Sequence, residues 1–163
     1  MRYHPLSSTF YSSNRKRFCE AIGPNSVAIF NSNDIYPISA DSTLPFEQHR
    51  DLFYLSGIDQ EETLLVLFPD AYEAKHREIL FIRETNEHIA VWEGAKLTKA
   101  QATALSGIET VYWVDDFKRI FQELSTQGSV NHSVVTAQGD LHDFDGFDLT
   151  VYYTYLVFHG SNG

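Results

Sequence analysis

Between Thr63 and Pro69 the chain reads Thr-Leu-Leu-Val-Leu-Phe-Pro, and residues 64–67 are its longest aliphatic run. A stretch this short is far below the roughly 20 residues that span a bilayer, and Pro69 ends it, so it predicts a buried strand and no membrane helix. Similar short runs recur. Residues 26–30 predict a strand closed by Asn31, residues 51–56 and 63–68 a strand pair joined by a turn at 57–60, and residues 78–82 and 88–92 a second pair around 84–87. Helical spacing comes before and after them. Tyr11, Arg15, Phe18 and Ile22 fall at i, i+4, i+7 and i+11, with Ser12 or Ser13 as a cap and Gly23 as a stop. Thr98 and Gln101 form a capping box for a helix that runs to Ser106 and stops at Gly107, and a strand at 110–114 follows. Asp115 then caps a helix with Phe117, Ile120, Phe121 and Leu124 on one face, ended by Gly128, ahead of a strand at 133–137. Adjacent strands in the middle and helix-separated strands at the end predict an α/β fold, a single mixed β-sheet flanked by helices, with Ile29, Phe53, Leu55, Leu65, Leu67 and Leu80 in its core. No internal repeat or low-complexity segment is expected.

One domain accounts for 163 residues, of which 43% are hydrophobic. Twelve Lys and Arg against 22 Asp and Glu leave a formal net charge of −10, which repels a phosphate backbone or an anionic membrane, so neither nucleic acid nor membrane is an expected partner. Residues 1–8 hold no apolar core of a secretory signal, which makes the cytoplasm the expected location. The single cysteine, Cys19, has no intrachain partner and no neighbour that would lower its pKa, so it reads as a small half-buried hydrophobe on a helix.

The residues offer no catalytic constellation. None of the 7 histidines is paired at i, i+4, there is no Gly-x-Ser-x-Gly elbow, and no Gly-rich phosphate loop occurs. His142, Asp143, Asp145 and Asp148 surround a calcium-loop-like Asp-x-Asp-Gly, but Leu141 and Tyr152 stand where that template needs its first and last ligands, so a polar turn is expected and no metal. Two residues stand out. Asp41 lies in the long connection 31–45, where it either pairs with a cation at a cleft or caps a turn. Trp92, directly before Glu93-Gly94, is either a core residue of the sheet or an exposed platform for a ligand.

Three stretches together resemble a known family: Ser39-Ala40-Asp41-Ser42, then Pro45-Phe46-Glu47-Gln48-His49-Arg50-Asp51-Leu52-Phe53-Tyr54-Leu55-Ser56-Gly57, then Glu62-Thr63-Leu64-Leu65-Val66-Leu67-Phe68. Their order and spacing resemble the N-terminal domain of aminopeptidase P, the Xaa-Pro aminopeptidase, over about residues 10 to 125. Val91-Trp92-Glu93-Gly94 matches that family's Trp-x-Gly element. Glu47 departs from the pattern, which commonly has a basic residue there, and past about Gln138 the resemblance stops. It implies that 1–163 form a single non-catalytic N-terminal domain that supports oligomer assembly and walls the substrate cleft. The C-terminal pita-bread metallopeptidase domain, with two metal ions, usually manganese, is expected to be absent from this chain. The implied partners are that catalytic domain, further copies of the subunit, and peptides with proline at the second position. By resemblance Trp92 reaches a neighbouring subunit's cleft and Asp41 lies near the substrate. A free-standing α/β domain that binds a small ligand or a protein without peptidase activity is the alternative.

Overall fold

The computed structural model describes residues 4, 6–22, 26–33, 35, 37–39, 42–126, 132–136, 141–143 and 155–160. In chain order the elements are helix α1 (Ser8–Ile22), strand β1 (Ser26–Asn31), the short strands β2 (Pro37–Ser39) and β3 (Ser42–Thr43), helix α2 (Arg50–Ser56), strands β4 (Leu64–Leu67) and β5 (Glu78–Ile82), helices α3 (Glu87–Glu93) and α4 (Lys99–Ser106), strand β6 (Thr110–Trp113), helix α5 (Phe117–Thr126), and strands β7 (His132–Thr136), β8 (Leu141–Asp143) and β9 (Tyr155–Gly160). Seven strands make one sheet in the order β6-β5-β4-β1-β9-β7-β8, and β2 pairs with β3 separately. Only β5 and β6 run parallel, Leu80 facing Val111, and the connection between them carries α3 and α4. The other pairs of the large sheet are antiparallel, with Phe30 facing Leu65 across β1 and β4 and Leu65 facing Leu80 across β4 and β5.

The apolar runs are near-continuous because helices cover both faces of the sheet. Val27, Ile29, Val66, Ile79 and Phe81 turn to one side and pack with Ile120, Phe121 and Leu124 of α5. Ala28, Phe30, Leu65, Leu67, Leu80 and Ile82 turn to the other and meet Leu52, Leu55 and Ile58 of the α2 unit, Ala102 and Ile108 of the α4 unit, and the half-buried Phe18, Cys19 and Ile22 of α1. The period-2 alternation of strand side chains divides neighbouring residues between two cores.

Two predicted strands are helices instead. Residues 51–56 belong to α2, where Leu52, Leu55 and Ser56 follow helical spacing into the core while Tyr54 is exposed and Phe53 only half-buried, so Phe53 leaves the predicted core. Gly57 ends this helix at φ +71, its N–H donating to the Phe53 carbonyl, and a Cβ there would stand 2.4 Å from Cε2 of Tyr11. Residues 88–92 belong to α3, started by Asn86, whose side chain accepts from the Ile89 N–H. Asp115 does not cap α5 directly; a 3-10 turn at Val114–Asp116 comes first. Helix α1 begins at Ser8, ahead of the Ser12 or Ser13 cap, and the expected stops Gly23 and Gly128 lie outside the described residues. The capping box of Thr98 and Gln101 and the end at Gly107 are as expected.

A recurrence that the sequence reading passed over organises the α1 side. Leu55-Ser56-Gly57-Ile58 ends α2 and Leu105-Ser106-Gly107-Ile108 ends α4, each with the same device. Ser56 Oγ donates to the Leu52 carbonyl at 2.7 Å and accepts from the Ile58 N–H, and Ser106 Oγ does the same with Ala102 and Ile108. Between the two ends lies Arg15, fully buried, its Nη1 donating to the Leu55 carbonyl at 2.8 Å and the Ser106 carbonyl at 2.9 Å. Its Nε stands 3.2 Å from Glu78 Oε2. A guanidinium set where two helix C-termini converge meets their unpaired carbonyls and the negative ends of both dipoles.

Candidate functional site

Helix α3 lies in the connection between the parallel strands β5 and β6. Asn86 caps it, Glu87 occupies its first turn, and Gly94 turns the chain away at φ +84 with nothing within 4 Å of where a Cβ would stand. None of its residues is buried. Trp92 is 87% exposed and Val91 78%, so the reading of Trp92 as a core residue of the sheet is overturned. An indole this open offers a whole ring face to a second molecule.

Polar contacts hold the end of α3. Arg83 Nη2 donates to Glu93 Oε2 at 2.6 Å, and its Nη1 stands 3.5 Å from Glu62 Oε1. Past Gly94, Lys96 pairs with Glu61, and the Leu97 N–H donates to Gln60 Oε1 at 2.9 Å. Burial pushes the Glu61 carboxyl up, but the hydrogen bond and charge of Lys96 together with a backbone hydrogen bond outweigh it and hold the group below the usual glutamate range. Glu62 takes a positive φ of 52°, and no other non-glycine residue does so among those described.

The long connection after β1 is tied to the same turn. Ser32 and Thr63 exchange hydrogen bonds, the Ser32 N–H donating to the Thr63 carbonyl at 2.8 Å and the Thr63 N–H to Ser32 Oγ at 3.1 Å. Asn33 Nδ2 donates to the Glu47 carbonyl, and Gln48 Nε2 donates to the carbonyls of Ile58 at 3.0 Å and Gln60 at 2.8 Å. Asp41, in the middle of that connection, lies outside the described residues, as do Asp145 and Asp148. His142 and Asp143 belong to β8.

Among the described residues, no group of three or more His, Cys, Asp and Glu could hold a metal ion. No described helix is long and apolar enough to cross a membrane. Cys19 is half-buried on α1, its thiol pushed up to about 11 by burial first and by the Glu78 carboxylate next. The turn at 60–62 is what sequence reasoning missed, although Gln60-Glu61-Glu62 ahead of an apolar strand, with Arg83 and Lys96 as nearby cations, was its visible signal.

Comparison with known proteins agrees with this architecture. Residues 11–134 match the profile described as aminopeptidase P, N-terminal domain. The Xaa-Pro aminopeptidase of Escherichia coli K12 is 26% identical over 136 residues, covering 83% of this chain and 30% of that protein. Human Xaa-Pro aminopeptidase 3 is 25% identical over 107 residues, covering 64% of this chain and 21% of its own length. The structure of aminopeptidase PepP from Pseudomonas aeruginosa superposes with a TM-score of 0.67 at 25% identity, over 74% of this chain and 27% of that one. The chain therefore spans 21% and 30% of the length of those two curated relatives. With the profile match running from α1 into β7 and the same fold in PepP, the chain belongs to the aminopeptidase P N-terminal domain family.

Proposed function

We propose that residues 1–163 serve as the non-catalytic N-terminal domain of a cytoplasmic Xaa-Pro aminopeptidase, supporting subunit assembly and walling the cleft that receives peptides with proline at the second position. Hydrolysis belongs to a C-terminal domain outside this chain, which carries two metal ions, manganese in this reading. The family match over residues 11–134 carries the proposal, since the Xaa-Pro aminopeptidases it resembles are several times longer than the matched part. In the assembled enzyme Trp92 contributes its ring to a neighbouring subunit's substrate cleft and Asp41 lies near the substrate. The exposure of Trp92 supports this role, because a ring that is 87% exposed is available to a second molecule.

The test compares this chain with the protein encoded by its full reading frame. The chain alone should release no N-terminal residue from an Xaa-Pro peptide with added manganese, while the longer protein should do so in a chelator-sensitive way. Trp92→Ala in the longer protein should lower kcat/KM by about tenfold, equivalent to about 1.4 kcal/mol of lost binding. Manganese-dependent cleavage by the chain alone, or unchanged kinetics of the variant, overturns the proposal.

A further inference from the structure

Helix α3 has 7 residues, none of them buried and only Ile89 and Ala90 half-buried, so its short length and this thin apolar contact leave most of its fastening to other groups. What it does have is a set of polar contacts converging on three consecutive residues. Gln60 takes the Leu97 N–H, Glu61 takes Lys96, and Glu62 shares Arg83 with Glu93 of the helix. We infer that the turn at 60–62 is the clamp that sets the position of the Trp92 helix, with Arg83 and Lys96 as its positioning residues.

The turn is built to serve as a fixed base. Gln60 is 5% exposed, and its carbonyl accepts from both Gln48 Nε2 and Thr63 Oγ1 at 2.8 Å, which ties the turn to the connection after β1 and to the start of β4. Glu62 holds a backbone conformation that L side chains rarely adopt, the kind of local strain that persists only where surrounding contacts enforce it. The Lys96–Glu61 pair is not an ordinary surface pair. Its side chains are 19% and 12% exposed, so water and salt screen it less than they do pairs such as Lys75–Glu73. Gly94 lies between the two cationic attachments, so the helix end and the segment after it are fastened separately on either side of a bend. Because Gln48 binds the same turn, the segment between β3 and α2 and the helix that carries Trp92 share one anchor.

The functional weight of this clamp rests on the reading of Trp92 given above, but the clamp is testable without it. Hydrogen exchange on the 163-residue chain should show amides 87–95 exchanging about tenfold faster in the Arg83→Gln, Lys96→Gln double variant, the scale two partly exposed ion pairs support, with β4 and β5 unchanged. In a Trp113→Phe background, the fluorescence anisotropy of Trp92 should fall in parallel. Exchanging the charges, Glu61→Lys with Lys96→Glu, should restore slow exchange that Lys96→Glu alone loses. Should the double variant not fold, Arg83→Gln alone, which removes only the more exposed pairs to Glu62 and Glu93, should still speed exchange at 87–95 with β4 and β5 unchanged. Unchanged exchange at 87–95, or a rise matched by β4 and β5, overturns the inference. A rigid α3 without its clamps would leave the kinetic test of Trp92 standing, and unchanged kinetics would leave the clamp standing.

Discussion

Cys19 and Trp92 show how surroundings decide what a reactive or aromatic side chain can do. The Cys19 thiol lies against the α1 side of the core, and with its pKa pushed up to about 11 by burial and by Glu78 it is almost wholly protonated at neutral pH. At about pH 8 roughly one such thiol in a thousand is ionised, against about a quarter of ordinary thiols with pKa ~8.5, and only the thiolate reacts. Alkylation by iodoacetamide at that pH should therefore run about a hundredfold slower than for free cysteine and recover in denaturant. A rate within a few-fold of free cysteine would contradict the burial. For Cys19 the sequence was sufficient, because the helical spacing from Tyr11 to Ile22 already put it beside the apolar face. For Trp92 it was not. A tryptophan among apolar neighbours looks the same on a strand in the core as on a helix in solvent, and the Asn86 cap together with the contacts of Glu93 and Lys96 with distant residues separates the two.

At the scale of elements, Arg15 is the contact on which three helices depend. Carried by α1, it satisfies carbonyls at the ends of both α2 and α4, and Glu78 of β5 balances its charge. Arg15→Met keeps much of the volume but leaves two buried carbonyls without a donor and the carboxylate without its cation. The expected loss is about 2 to 5 kcal/mol in the urea denaturation midpoint analysis, and Glu78→Gln, whose site is partly open to water, should cost less. A loss below about 0.5 kcal/mol would show that the guanidinium is not needed there. The Asn86 cap of α3 was masked by the apolar run that follows it, whereas helix α4 was legible from its caps, Thr98 with Gln101. Helix α2 was not, because Leu52-Phe53-Tyr54-Leu55 has the aromatic and apolar content of a strand, and its helical state is fixed by Leu52 and Leu55 facing the sheet together while Gly57 closes the end. Arg15 itself read as a polar residue at an apolar helical position, and its two acceptors, 40 and 91 residues along the chain, cannot be found from local pattern.

Among the described residues the sheet is covered on both faces around β1, β4 and β5, and this much its short apolar runs announced. The strand order was beyond the sequence, since β1 finds partners in β4 and in β9 near the far end of the chain, and nothing local specifies such distant pairing. Stability is spread unevenly across this frame: two apolar cores hold the sheet, while α3 buries no residue and is tied through Glu93 to Arg83. Glu62, at φ 52°, is where the two demands oppose each other. Glycine would relieve about 1 to 2 kcal/mol of left-handed strain against about 0.5 to 1 kcal/mol of its own added chain entropy. Glu62→Gly should thus raise Tm by about 1 to 4 °C, and a lower Tm would contradict the strain. The same change takes away one of the carboxylates that hold Arg83. Selecting variants of this chain for heat resistance would therefore favour a sturdier domain that presents its tryptophan less accurately, a trade in which the melting curve improves while the helix that carries Trp92 loosens.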